Sequence, residues 1–144
     1  MRRITRRSGA RETPVYEART HDIVVRVVAS YAPDQSDVDE RQFFWTYTVE
    51  IENHGKKTVQ LISRHWVITD AMNRAQEVSG LGVVGEQPEL KPAEAFRYTS
   101  GCPLQTPSGS MRGSYHMLAA TGEAFDVDIP EFSLHLPGAG RTAH

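Results

Sequence analysis

From Ile23 to Leu136, the apolar residues of this chain recur at every second position. Ile23, Val25, Val27, Ala29 and Tyr31 share one side of an extended segment. Phe43, Trp45, Tyr47, Val49 and Ile51 share another, with Thr46, Thr48, Glu50 and Glu52 opposite. A strand turns successive side chains to opposite faces, so this pattern makes a core face and a wetted face. A helix would scatter the same residues around its axis. The alternation resumes from Val59 to Thr69, briefly from Ala75 to Ser79, and at Phe96, Tyr98, Ser100 and Cys102. It returns in Met111 to Leu118, then in Phe125, Val127 and Ile129, and then in Phe132, Leu134 and Leu136 beyond Pro130.

Turn signals separate these runs. Asn53-His54-Gly55-Lys56 reads as a turn in which glycine supplies a positive φ. Asp70 to Arg74 and Thr121-Gly122-Glu123 read likewise, Pro88 to Glu94 as a loop, and Pro103 to Ser110 as a long, rigid turn. No segment carries a helical period. About seven or eight short antiparallel strands with such spacing predict an all-β, two-sheet sandwich. The expected domain spans residues 15–137, after a disordered, Arg-rich arm (1–14) and before a flexible tail (138–144).

Charge narrows the function classes. Six arginines fall within residues 1–19, against Glu12 and Glu17. The rest of the chain keeps ten basic and sixteen acidic residues. An acidic body predicts no nucleic-acid face on the folded domain. No apolar run reaches the length of a membrane span. The start, MRRITRRSGARETP, has no apolar core of a secretory signal, so the expected location is cytoplasmic. The single cysteine, Cys102, fits a reducing compartment and reads as a buried strand residue.

The glycine pattern GLGVVG, with Gly80, Gly82 and Gly85, matches G-x-G-x-x-G. Pyrophosphate binding by that pattern needs a helix opening near Gly85, with its N-terminus facing the phosphates. The chain instead continues Glu86-Gln87-Pro88-Glu89-Leu90-Lys91-Pro92, and two prolines so placed prevent a helix interior. Two readings stay open: a turn device, and a looser cradle of backbone N–H groups for an anion, with Arg64, Arg97 and Arg112 as phosphate partners. Arg64-His65-Trp66 lies on a strand with apolar residues on both sides. Such a strand is either covered twice or presented to a partner. Catalytic constellations are missing from the pattern. There is no G-x-S-x-G elbow, and Ser108-Gly109-Ser110 is turn chemistry. Asp34, Asp37, Asp39 and Glu40 lack the glycine and distal glutamate of a calcium loop. The six histidines show no metal-ligand spacing, and no cofactor or metal is expected.

QLISRHWVITD, GLGVVGEQPELKP, YTSGCPLQTPSGSMRGSY and FSLHLP together closely resemble the bacterial ApaG proteins, over roughly Tyr16 to Pro137. The resemblance implies a fibronectin type III or immunoglobulin-like β-sandwich. It also implies kinship with ApaG domains of eukaryotic F-box proteins and of a polymerase-δ-interacting protein, which are thought to mediate protein–protein contacts. Bacterial members are associated with cobalt resistance and magnesium efflux, and their genes often neighbour a diadenosine tetraphosphate hydrolase. The family carries no established catalytic residues. Its pyrophosphate motif maps to Gly80, Gly82 and Gly85. Ala93 stands where the family is expected to have glycine.

The sequence therefore predicts a non-enzymatic module that binds an unidentified protein and acts as a monomer or weak dimer. Its expected contact residues are Arg64, His65, Glu86, Gln87, Pro88, Thr106, Pro107, Ser108 and Arg112. The competing expectation is a sensor of a nucleotide or dinucleoside polyphosphate at the Gly80–Gly85 loop.

Overall fold

The computed structural model describes residues 13–137. Most of the expected N-terminal arm and all of the expected tail lie outside them. Among the described residues the chain forms nine strands: β1 (Tyr16–Thr20), β2 (Ile23–Tyr31), β3 (Phe43–Asn53), β4 (Val59–Asp70), β5 (Ala75–Leu81), β6 (Glu89–Leu90), β7 (Ala95–Leu104), β8 (Ser108–Ala119) and β9 (Ala124–His135). A short 3-10 turn, Pro33–Gln35, interrupts the long β2–β3 connection. Two antiparallel sheets result, one ordered β1-β2-β3-β7 and the other β5-β4-β8-β9, with β6 extending the β5 side of β4. This is the expected all-β sandwich.

β3 shows why the alternation is so informative. Its odd-numbered residues, Phe43 to Asn53, are buried and its even-numbered residues are half-exposed. The inward residues meet those of the second sheet in one core. Trp45, Tyr47, Val49, Ile51, Leu61, Trp66, Met111, Tyr115, Met117, Val127, Phe132 and Leu134 all belong to it. Tyr47, Trp66 and Phe132 form its aromatic centre, with ring centroids 5.3 to 6.0 Å apart in tilted and edge-on arrangements. Each fully buried large side chain contributes about 1.5–3 kcal/mol relative to exposure. Trp45 also donates its indole N–H to the His135 carbonyl at 2.9 Å, tying the first sheet to the end of β9.

Several local expectations are corrected. The Asn53–Lys56 segment does not fold β4 back onto β3. It carries the chain from one sheet to the other, because β3 pairs with β2 and β7 while β4 pairs with β5, β6 and β8. Gly55 does not have a positive φ. The crossover is held instead by the buried side chain of Asn53, whose Nδ2 donates to the Lys57 and Leu90 carbonyls and whose Oδ1 accepts from Gly55. The long turn expected at Pro103–Ser110 shrinks to residues 105–107 between β7 and β8. β1 has no counterpart in the alternation reading, since its five residues are half-exposed or exposed. The two runs around Pro130 are one strand, β9.

Both irregular strands owe their pattern to bulges. In β4 the register against β8 shifts between Leu61 and Ser63. Leu61 and Trp66 are therefore both buried although five residues apart. In β9 Ile129, Pro130 and Phe132 are all buried, and the register against β8 shifts across the same region. An extra residue in one strand moves all that follow to the other face, and proline suits a position with no ladder donor.

Candidate functional site

β5 leaves its sheet through the glycine motif. Gly80 is still in the strand and pairs with Arg64 of β4. Gly82 then takes φ +64°, Val84 +41° and Gly85 +82°. Val83 and Glu86 pair across the turn, each donating its N–H to the other's carbonyl at 2.8 and 2.9 Å. Two successive left-handed residues inside such a pair are the signature of a tight hairpin turn, not of a helix start.

The turn is clamped onto the β4 bulge. The Ile62 carbonyl accepts the Gly82 N–H at 2.8 Å and the Gln87 side-chain amide at 2.9 Å. The Gln60 amide donates to the Gln87 carbonyl at 3.0 Å, and Leu61 donates to the Pro88 carbonyl at 3.0 Å. Arg64 completes the clamp, with Nη1 donating to the carbonyls of Leu81 at 3.0 Å and Gly82 at 2.8 Å. A Cβ on Gly80 would lie 2.9–3.0 Å from that guanidinium, so the motif's first glycine makes room for Arg64.

This geometry bears directly on anion binding. A backbone cradle needs N–H groups aimed outward. Here the Gly82, Val83 and Glu86 donors are spent inside the clamp, and the neighbouring carbonyls face Arg64. Of the three arginines considered as phosphate partners, only Arg64 reaches the loop. Arg97 pairs with Glu50 in the first sheet, and Arg112 sits opposite Val67 on β8.

The same clamp displays two apolar side chains. Val83 is fully buried, but Leu81 is 74 % exposed and Val84 55 % exposed. Sequence reasoning took both only as letters within a glycine motif. Large apolar residues between glycines at a strand end were the signal available. β5 beside them is an edge strand among the described residues, with β4 on one side and none of their strands on the other.

The remaining predicted contact residues scatter. His65 lies on the outer face of the second sheet and bonds Glu77 of β5 through Nε2 at 2.8 Å. Glu86, Gln87 and Pro88 belong to the clamped loop. Thr106, Pro107 and Ser108 lie near the far end of β4, where the Thr106 hydroxyl donates to the Ser108 carbonyl and accepts the Ala71 N–H. Ile62 on β4 and Ala71 just past its end, the two anchor points, are nine residues apart, roughly 30 Å of extended chain. Thr106 is 2 % exposed, which removes it from any contact surface. Its polar group was better spent tying two turns together. Trp66, on the strand read as either covered twice or presented to a partner, is in the core.

Behind Arg64, the Tyr98 and Tyr115 hydroxyls share a buried hydrogen bond. Burial pushes both phenols above their ordinary range, against a weaker opposing pull from Arg64. Burial also pushes the Cys102 thiol up to about 11, which leaves it unreactive at neutral pH. Among the described residues no group of three or more His, Cys, Asp or Glu side chains is arranged to hold a metal ion. No helix among them is long and apolar enough to cross a membrane.

Comparison with known proteins adds a family. A family model described as the ApaG domain matches residues 33–119. A protein ApaG of Caulobacter vibrioides is 63 % identical over 134 residues, covering 93 % of this chain and 96 % of its own length. A protein ApaG of Bordetella pertussis is 52 % identical, covering 93 % of this chain and 98 % of its own length. A crystal structure from Bordetella pertussis, described as an ApaA protein, superposes with a TM-score of 0.80 at 53 % identity. It covers 82 % of this chain and 96 % of the solved one.

Proposed function

The chain belongs to the ApaG domain family, and from that premise we propose that it is a non-enzymatic, cytoplasmic protein-binding module. Its contact surface is the β5 edge together with Leu81 and Val84. The observation that carries this reading is the backbone of Val84. A β-branched residue at φ +41° sits where glycine is at ease, at a cost of roughly 1–2 kcal/mol. The strain holds an apolar side chain out in water, next to an exposed leucine, on a turn fixed by Arg64 and the Ile62 carbonyl. Strain of this kind persists where the displayed group has a use. The β5 edge, unpaired among the described residues, offers a partner main-chain hydrogen bonds beside those two anchors. Any part in cobalt or magnesium homeostasis then runs through the bound protein.

The test uses Val84→Gly. Glycine relieves the left-handed strain and removes the displayed side chain, so folding and binding part company. A benzophenone amino acid placed at Leu81 in the native host should cross-link to one protein, and the same probe at the β9 residue Ser133 should not. Introducing Val84→Gly should abolish that adduct without lowering the melting temperature. Persistence of the adduct in the variant would sink the proposal. The rival nucleotide-sensor reading makes the opposite prediction. It requires saturable amide shifts centred on residues 79–86 when ATP, pyrophosphate or diadenosine tetraphosphate is added with Mg²⁺ or Co²⁺.

A further inference from the structure

One end of the sandwich holds a cleft of about 600 Å³ that shares no residue with the Gly80–Pro88 loop. Three connections meet there: the β1–β2 turn, the crossover between sheets, and the β8–β9 turn. We propose that this cleft binds a small organic anion, a carboxylate or phosphate monoester carried on a ring-sized apolar body.

The lining has two parts. Ile23, Val59 and Ala119 give an apolar floor, and Phe125 and His21 give ring walls. The two rings meet edge to face with centroids 5.9 Å apart. Around them stand His54, Lys56 and Lys57, with Asp22 and Glu123. The volume falls in the range of small-molecule sites, about 300–1,000 Å³, and an apolar floor with a few polar groups is their usual make-up.

The sign of the ligand follows from who is already paired. Arg19 reaches Asp22 at 3.4 Å, and Lys57 reaches Glu123 at 2.8 Å. Both carboxylates are thus matched. Lys56, an exposed residue of the cleft lining, has no ion-pair partner among the described residues. A ligand that places its charge at Lys56 and its body against Phe125 satisfies both parts of the lining.

A second observation singles out the same place. His21 has φ +54° at the first position of the two-residue β1–β2 turn. Tight hairpin turns call for glycine there, and a histidine costs conformational energy. That conformation is braced by Arg19, whose Nε donates to the His21 carbonyl at 3.1 Å. It sets the imidazole over Phe125. A glycine would make the turn more cheaply and leave the cleft without a wall.

Amide-resolved NMR titration of the full ¹⁵N-labelled chain with phenyl phosphate tests this, with inorganic phosphate and benzyl alcohol in parallel. The expected result is saturable shifts at residues 21–23, 55–57 and 124–125, with a dissociation constant of about 1 mM or tighter. Phosphate and benzyl alcohol should each bind at least about tenfold more weakly, since each satisfies one part of the lining. Lys56→Glu, an exposed change, should weaken phenyl phosphate about tenfold and leave the melting temperature in place. Absence of saturation overturns the proposal, as do shifts centred elsewhere or unchanged affinity in the variant. Equal binding of inorganic phosphate overturns it too, because that describes an adventitious ion only.

Discussion

Gly82→Ala and Gly85→Ala make one chemical change at two left-handed positions of the same turn, φ +64° and +82°. Both pay the steric penalty of a Cβ in that region, roughly 1 kcal/mol after the smaller unfolded-state entropy is credited. At Gly85 nothing lies within 4 Å of the new carbon, so the penalty ends there. At Gly82 the new carbon would lie 2.3 Å from the Glu86 carbonyl oxygen. That oxygen must retreat by about 1 Å to reach ordinary van der Waals contact. It is also the acceptor of the Val83 N–H at 2.8 Å, and Val83 is fully buried. Losing that acceptor costs a further ~1–3 kcal/mol. Gly82→Ala should therefore destabilise by about 3 kcal/mol and Gly85→Ala by about 1 kcal/mol. For a chain of this size the gap is roughly 6 °C in melting temperature. Urea and thermal unfolding followed by the fluorescence of the buried Trp45 and Trp66 would measure it. Equal losses for the two variants would refute the reasoning, because the carbonyl contact would then carry no weight.

Tyr98→Phe leaves the buried Tyr115 hydroxyl without its partner and should cost about 1–3 kcal/mol, while adding Tyr115→Phe should cost little more; a double-mutant cycle reads the coupling. Burial holds both phenols neutral in the fold, so the unfolded chain loses its protons first as pH rises past about 10. Stability should fall from there in the native protein, and less steeply in the double variant, as pH-dependent urea midpoints would show. Arg26→Leu withdraws the guanidinium that lies 2.9 Å from Glu17, 3.4 Å from Glu50 and 2.8 Å from Glu52. It should cost about 1 kcal/mol, less in high salt. Glu52 is held below its ordinary range chiefly by the Arg26 hydrogen bond, so that stability is present above about pH 4.5 and lost as pH falls; the variant's acid limb should be shallower. Ala93 has φ +72° where the family resemblance led us to expect glycine. Ala93→Gly should raise stability by about 0.5 kcal/mol, a small upward shift of the melting temperature that calorimetry can resolve.

Strand identity was legible in the sequence because alternation is a local property. β3 needs only its own residues, Phe43 to Asn53, to declare which side is buried. Asn73 and Gly122 announced their turns the same way, by tolerating the left-handed backbone both adopt. The motifs from Gln60 to Tyr115 also carried the family, which the comparisons then showed. Less of the site was readable. The glycine motif was visible as a turn, and Arg64 as a residue of interest, but not that one clamps the other. Leu81 and Val84 were passed over, and Thr106 was placed outside when it is inside.

The reason is range. Which face a side chain takes is set by its neighbours two residues away, but which strand lies beside it is set by contacts far along the chain. Nothing local says that β3 pairs with β7 and not with β4. Nothing local says that bulges near Ile62 and Pro130 exchange the faces of β4 and β9. Past the first bulge, Arg64 comes to lie opposite the buried Tyr115. Only the packed pair of sheets, by demanding both Leu61 and Trp66 in one core, decides that register. With it the structure decides where the loop is pinned and which side chains are left in water.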